Sequence, residues 1–257
     1  MPTYPDFSLT GQTALVTGAS RGLGRAIALA LADAGADVAL GLRQSGTADD
    51  LVAEIEAMGR QSIAVQMDVT CLDQLEPAVD AVVERFGRLD ILVNNAGLGP
   101  ANPAEDVNEA DFDLTMDVNV KGTFFASQAA GRAMIRQGSG GRIVNLSSQA
   151  GFVALPTEAV YCASKAAVAH MTKCLAVEWG GHGITVNAVA PTFIRTDGTA
   201  PDLADPVFEA DVRDRIAGLH RIGEPMDVAG AVVFLASSAA SLITGTTVMI
   251  DGGWTAR

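Results

Sequence analysis

Along this chain, short uninterrupted apolar runs alternate with longer segments whose apolar residues recur at helical spacing. "TALVT" (Thr13–Thr17) is strand-like, and the "GLGRAIALALADAG" that follows is helical and stops at Gly35. "DVALGL" predicts a second strand, then a helix through "DDLVAEIEAMG" ending at Gly59. "SIAVQMD" and "LDILVN" are strands separated by the helical "LDQLEPAVDAVVERFG", in which Pro77 marks a kink. A loop rich in Gly, Pro and Asn follows Asn94, and helical spacing then runs from about Glu109 to Gln137. "GRIVNLSS" is the next strand, "EAVYCASKAAVAHMTKCLAVEWG" the next helix and "ITVNAVAP" another strand. Residues 192–224 are less regular, with Pro201, Pro206 and a short charged helix; the helix "MDVAGAVVFLAS" and the strand "TTVMID" close the pattern.

Strands regularly separated by helices imply parallel pairing, because right-handed crossovers cover both faces of a sheet. No Gly/Ser linker or shift in composition divides the chain. The expected fold is therefore one doubly wound, Rossmann-type α/β domain over residues 1–257, with about seven parallel strands and a lid-like substrate loop at about 192–224.

Composition narrows the chemistry. Hydrophobic residues make up 49% and aromatic residues only 5%, so the core must come from Ala, Val, Leu and Ile. Lys plus Arg total 17 against 30 Asp plus Glu, a net charge of −13, which repels nucleic acid and anionic membranes. An enzyme of small molecules and a protein-binding module both remain open. Cys71, Cys162 and Cys174 are odd in number, without a CxxC or a nearby His cluster, so neither a disulfide framework nor a metal site is expected. His182 and His220 form no metal-ligand pattern and are assigned structural or solvent roles. "MPTYPDFSLTGQ" lacks the basic start and apolar run of a signal peptide, and no window reads as a membrane span. The expectation is a cytoplasmic protein.

"VTGASRGLGRAI" lies at the first strand-to-helix turn. Gly18, Gly22 and Gly24 let a backbone turn tightly and approach a pyrophosphate, whose charge favours a helix N-terminus; Ser20 and Leu23 lie in the same turn. A plain tight turn packing helix on strand is the other reading. At the end of the second strand, where a carboxylate would read a ribose diol, stand Leu42 and then Arg43. Arg43 with Arg21 favours NADP(H) over NAD(H), unless both are simply solvated. Asp68 accepts from an adenine amino group with Val69 beside the ring, or else caps the following helix. In "NNAG", Asn95, Ala96 and Gly97 admit a cofactor backbone, or form a turn held by Asn side chains.

Tyr161 and Lys165 stand at i and i+4 on one helix face, in a chain with only two tyrosines. A free phenol has a pKa of about 10. An ammonium one turn away favours the phenolate and is expected to lower that value, giving an acid/base for an alcohol or ketone oxygen. Cys162 is turned about 100° away. Ser148, just beyond the fifth strand, reaches the same oxygen. Asn119, in "MDVNVKG", interrupts the middle helix and holds water near Lys165. An amphipathic helix whose lysine snorkels over a tyrosine is the alternative.

Taken together, "TGASRGLG", "NNAG", Asn119, Ser148 and "YCASK" occur in the order of the short-chain dehydrogenase/reductase family, which this chain resembles over most of its length. The resemblance implies Tyr161 as catalytic acid/base, Lys165 as pKa modifier and nicotinamide-ribose ligand, Ser148 as ligand of the substrate oxygen and Asn119 as part of a water-mediated relay. "NAVAPTFIRT" resembles the segment at the nicotinamide end, with Pro191, Ile194 by its backbone and Thr196 near the carboxamide. The family usually has Gly where this chain has Thr192, which puts the local backbone path in question. The C-terminal segment looks most like bacterial sugar, sugar-acid and polyol dehydrogenases, and the family's habit implies a homotetramer through the two long middle helices and the C-terminal segment.

The expected activity is NADP(H)-linked interconversion of a secondary alcohol and a ketone, on a sugar, sugar acid or polyol, with NAD(H) as the other cofactor. A 3-oxoacyl-thioester reductase and a broad carbonyl reductase are the enzymatic alternatives; a cofactor-binding sensor or scaffold is the non-enzymatic one. Gln149, Phe152, Glu158 and Phe193 are candidate pocket residues, or ordinary packing and surface.

Overall fold

Each apolar run becomes a strand of one parallel sheet in the computed structural model. The structure describes residues 4–256; Met1–Thr3 and Arg257, the ends of the expected 1–257 domain, lie outside the described residues. Strands β1 (Thr13–Thr17), β2 (Asp37–Leu42), β3 (Ser62–Gln66), β4 (Ile91–Asn94), β5 (Gly141–Leu146), β6 (Ile184–Pro191) and β7 (Thr247–Ile250) pair in the order β3-β2-β1-β4-β5-β6-β7. All six pairings are parallel. The helices between them are α1 (Gly22–Asp33), α2 (Asp49–Ala57), α3 (Leu75–Phe86), α4 (Glu109–Met116), α5 (Thr123–Gln137), α6 (Ala159–Trp179), α7 (Ala200–Leu203), α8 (Pro206–Arg215) and α9 (Pro225–Ala236).

Both faces of the sheet are apolar, as a doubly covered parallel sheet requires. In β1, Ala14 and Val16 pack with residues of α1 and α9, whereas Leu15 points to the other face, toward α3 and α5. A third apolar cluster lies outside the sheet: Leu203, Val212, Ile216 and Ile222 of the 192–224 region gather with Trp254 from the turn after β7, and the Phe193 ring stacks 5.9 Å from Trp254. That region carries two helices, α7 and α8, where one was expected.

Two local expectations change. Pro77 does not kink its helix. A 3₁₀ turn at Leu72–Gln74 precedes α3, so Pro77 falls in the first helical turn, where its missing N–H has no partner to lose. The helical stretch from Glu109 to Gln137 is divided by a wide π turn over Asp117–Gly122, with Asn119 inside it. Among the described residues, no helix is long and apolar enough to cross a membrane.

A buried polar chain crosses the centre of the sheet. Asn94 Nδ2 donates to Ser127 Oγ on α5 and to Asn145 Oδ1 on β5, each at 2.8 Å. Asn145 Nδ2 donates in turn to Thr172 Oγ1 on α6 at 2.9 Å. These bonds tie two helices and two strands together beneath the loops that carry the cleft, and removing a middle member strands the others without water. Asn145→Ala is expected to lower stability by roughly 2–4 kcal/mol, read as a lower urea midpoint at unchanged m value.

Candidate active site

Because the strands run the same way, the loops that leave their C-terminal ends converge. Between them lies a cleft of ≈ 890 Å³, lined from Gly18 in the first loop to Thr196 after β6.

At one end is the glycine turn. Gly18 and Gly22 have φ of 64° and 55°, the left-handed region that favours glycine. Gly24 has no room for a side chain: a Cβ there runs into the Gly18 carbonyl and the Asn95 amide. Asn95 locks the turn to β4, its Nδ2 donating to Thr17 O at 2.9 Å and Gly18 O at 3.1 Å. The N-terminus of α1, at Arg21, has no side-chain cap and no acid in its first turn, so its N–H groups face the cleft unclaimed. The side chains of Arg21 and Arg43 are exposed on the cleft wall and make no ion pair or hydrogen bond among the described residues. Asp68 does not cap the following helix: one oxygen accepts from Thr70 N and Oγ1 at 2.9 and 2.8 Å, closing a local turn ahead of the 3₁₀ turn, and the residue lines the cleft.

At the other end, β5 stops at Leu146 and delivers Ser148, while α6 presents Tyr161 and Lys165 to the same space. Ser148 Oγ donates to Gln149 Oε1 at 2.7 Å and accepts from Ala150 N at 3.2 Å. Gly99 permits close approach here, since a Cβ on it would stand 2.5 Å from Tyr161 Cδ2. Asn119 stands behind the cleft wall. Its Oδ1 accepts from Leu98 N at 2.9 Å, and its Nδ2 donates to Leu98 O at 2.7 Å and Ser164 Oγ at 2.9 Å. Ser164 Oγ donates onward to Tyr161 O at 2.7 Å, so the π turn, the 98–102 loop and α6 are fastened together.

The expected lowering of the phenol by its neighbouring lysine is corrected. The Lys165 ammonium lies over the ring, 5.6 Å from its centroid, and donates to Leu146 O at 2.9 Å. In this position it does not offset the loss of hydration: burial pushes the Tyr161 phenol up to about 12, with the Ser148 hydroxyl acting in the opposite direction. Burial alone draws the Lys165 ammonium down to about 8. The i,i+4 spacing correctly put both groups on one face, but side-chain direction aimed the charge at the ring and the β5 carbonyl.

Of the expected site residues, Gly18, Ser20, Arg21, Gly22, Leu23, Gly24, Arg43, Asp68, Val69, Asn95, Ala96, Gly97, Ser148, Tyr161, Lys165, Pro191, Ile194 and Thr196 all line this cleft; Asn119 does not. Gln149, Glu158 and Phe193 line it too, whereas Phe152 does not and is 49% exposed. Thr192 needs none of glycine's freedom, because its φ is not positive and its N–H donates to Ile250 O at 3.1 Å, continuing the β6 path. His182 sits in an exposed turn after α6, and His220 Nδ1 lies 3.2 Å from Arg213 O. Leu98, Gly99, Leu155 and Asp202 also line the cleft and were not singled out one by one from the sequence, although Asp202 falls inside the expected 192–224 substrate loop and Gly99 stands just past a candidate motif.

Known proteins resemble this chain over nearly its whole length. A family model described as enoyl-(acyl carrier protein) reductase matches residues 18–255. A 2-dehydro-3-deoxy-D-gluconate 5-dehydrogenase of Escherichia coli (strain K12) is 42% identical over 251 residues, covering 98% of each chain. A 3-oxoacyl-(acyl-carrier-protein) reductase of Synechocystis sp. (strain ATCC 27184 / PCC 6803 / Kazusa) is 44% identical over 248 residues, 96% of this chain and 98% of that one. The crystal structure of a gluconate 5-dehydrogenase from Burkholderia cenocepacia J2315, in complex with NADP and tartrate, superposes with a TM-score of 0.94 at 35% identity, covering 98% of both chains.

The cleft geometry gives a direct optical test. The other tyrosine, Tyr4, is 82% exposed. In a Tyr4→Phe variant without cofactor, absorbance at 295 nm is expected to stay flat through the ordinary phenol range near pH 10 and to rise only toward pH 12.

Proposed function

The chain belongs to the short-chain dehydrogenase/reductase family, and from that premise we propose an NADP(H)-preferring oxidoreductase that interconverts a secondary alcohol and a ketone on a sugar, sugar acid or polyol. The observation that carries this reading is that Ser148, Tyr161 and Lys165 share one cleft with an uncapped, glycine-lined helix N-terminus.

That end of the cleft fits a dinucleotide by its own chemistry: unclaimed N–H groups for a pyrophosphate, a Gly24 position closed to any side chain and two unpaired guanidiniums. A nicotinamide held there would supply or accept the hydride at the carbinol carbon. Tyr161 Oη exchanges the proton, donating it to the ketone oxygen in reduction and taking it from the hydroxyl in oxidation. Ser148 Oγ fixes that oxygen. Lys165 binds the nicotinamide ribose, and Asn119 belongs to a water-mediated proton relay behind it, both as the family resemblance implies. A phenol pushed up to about 12 keeps its proton at neutral pH, so Tyr161 starts in the protonated form that reduction requires, although it is a weaker acid than a free phenol.

Arg21 and Arg43 read the 2′-phosphate, and NADP in the Burkholderia gluconate 5-dehydrogenase crystal is in keeping with that. The 192–224 segment serves as a lid over the substrate. The enzyme works in the cytoplasm as a homotetramer. An apolar groove of ≈ 340 Å³ on the middle helices, with Val120, Phe124, Phe125 and Met171 in its wall, supports that association. A 3-oxoacyl-thioester reductase is the second reading, favoured by the Synechocystis relative. An acidic carrier protein meets a chain of net charge −13, which disfavours it.

Tyr161→Phe is expected to abolish turnover across sugars, polyols and 3-ketoesters while NADPH binding, followed by fluorescence, persists; retained turnover removes Tyr161 from its role. Replacing Arg21 and Arg43 together by Ala is expected to raise KM for NADP(H) by about 10- to 100-fold and to leave KM for NAD(H) within about threefold. Equal effects on both cofactors in steady-state assays would contradict the phosphate-reading role.

A further inference from the structure

The cations lining the cleft are Arg21, Arg43 and Lys165. Both arginines stand at the glycine-turn end, and Lys165 is only 5% exposed, its ammonium engaged by Leu146 O. Around Tyr161 the charges are of the opposite sign. Glu158 precedes Tyr161 by one turn, and Asp202 reaches the same cleft from α7. The Glu158 carboxylate is half-buried and has no hydrogen bond or ion pair among the described residues. Burial first, and the Asp202 charge second, raise its pKa, and its own charge works against ionisation of Tyr161.

The backbone that carries this carboxylate is held in place. Thr157, directly before it, has a φ of 64°, a costly conformation for a β-branched residue, and its carbonyl accepts from Asn102 N at 2.8 Å. Two neutral residues at this end have unclaimed polar atoms. Gln149 gives its Oε1 to Ser148 but its NH₂ group has no protein partner, and Thr192 Oγ1 is buried without one.

We propose that Glu158 and Asp202 select an uncharged polyol or sugar and turn away substrates that carry a carboxylate. The proposal rests on the alcohol/ketone reading above and narrows it. A substrate carboxylate entering here sheds its water, finds no free cation and meets two like charges. A hydroxyl finds what it needs: Glu158 accepts from it, the Gln149 amide donates to it, and the Thr192 hydroxyl does either. The 2-dehydro-3-deoxy-D-gluconate in the name of the Escherichia coli relative is a carboxylate, so this chain parts from that relative in the charge of its substrate.

Matched pairs differing only in CH₂OH against COO⁻ test it: D-glucitol with D-gluconate, and D-threitol with D-threonate, oxidised with NADP⁺ by wild type, Glu158→Gln, Asp202→Asn and the double variant. In wild type, kcat/KM for the better polyol is expected to exceed that of its acid by at least about 30-fold. The double variant is expected to shrink that ratio roughly tenfold, chiefly through a lower KM for the acid. NADPH affinity stays unchanged and reports intact folding. An acid oxidised as well as its polyol by wild type, or a ratio unmoved in the double variant, overturns the charge selection and leaves the reaction class standing. Absence of Tyr161-dependent turnover across this panel and the 3-ketoesters removes the reaction class, and this inference with it.

Discussion

Parallel pairing is the constraint from which the rest of this molecule follows. Antiparallel strands would send their loops to both ends of the sheet; seven strands running one way send the groups that follow them to a single edge. A glycine turn, an Asn-rich loop, a serine and a proline-led segment, far apart in the chain, thereby meet in one cleft. The arrangement has to be held against the polar cost of bringing so many loops together. The chain from Ser127 through Asn94 and Asn145 to Thr172 does this from below, and the Asn119–Leu98–Ser164 set does it from the side. Both networks are polar where the composition suggests an aliphatic core, and both sit under the chemistry.

The same burial that fixes the geometry also decides the electrostatics. Tyr161 and Lys165 are close, yet each is moved in the direction that favours its neutral form, because removal from water outweighs their mutual attraction. Glu158 follows the same rule. Burial thus makes a weaker acid of the Tyr161 phenol and a stronger acid of the Lys165 ammonium.

Much of this was legible in the residues. "TALVT" and "ITVNAVAP" coincide with β1 and β6, because a strand buried on both faces is apolar throughout and its ends are marked by turn residues. "SIAVQMD" overshoots: β3 stops at Gln66, although Met67 N still donates to Leu42 O at 2.7 Å. The glycine turn, Ser148, Tyr161 and Lys165 were legible because each needs a particular residue type at a particular place in the alternating array. Asp202 was not, since an acid in an irregular charged stretch looks like solvated surface until the chain folds over. The polar chain through Asn94 and Asn145 was equally hidden, its partners being set by strand register rather than by spacing. Nor does a four-residue interval tell whether an ammonium ends beside a phenol oxygen or over its ring.

The π turn at Asp117–Gly122 bears on how this chain can change length. It holds one residue more than an α-helical turn, so the surplus residue sets the relative rotation of α4 and α5. Losing any single residue there would give a smoother, more regular helix and at the same time swing everything on one side by about 100° relative to the other. Asn119 would leave Leu98, and α4, which now packs on α6, would be turned away from it. An irregularity that looks like a flaw in local geometry therefore works as a ruler: the segment tolerates exchange of side chains far better than it tolerates a change in their number.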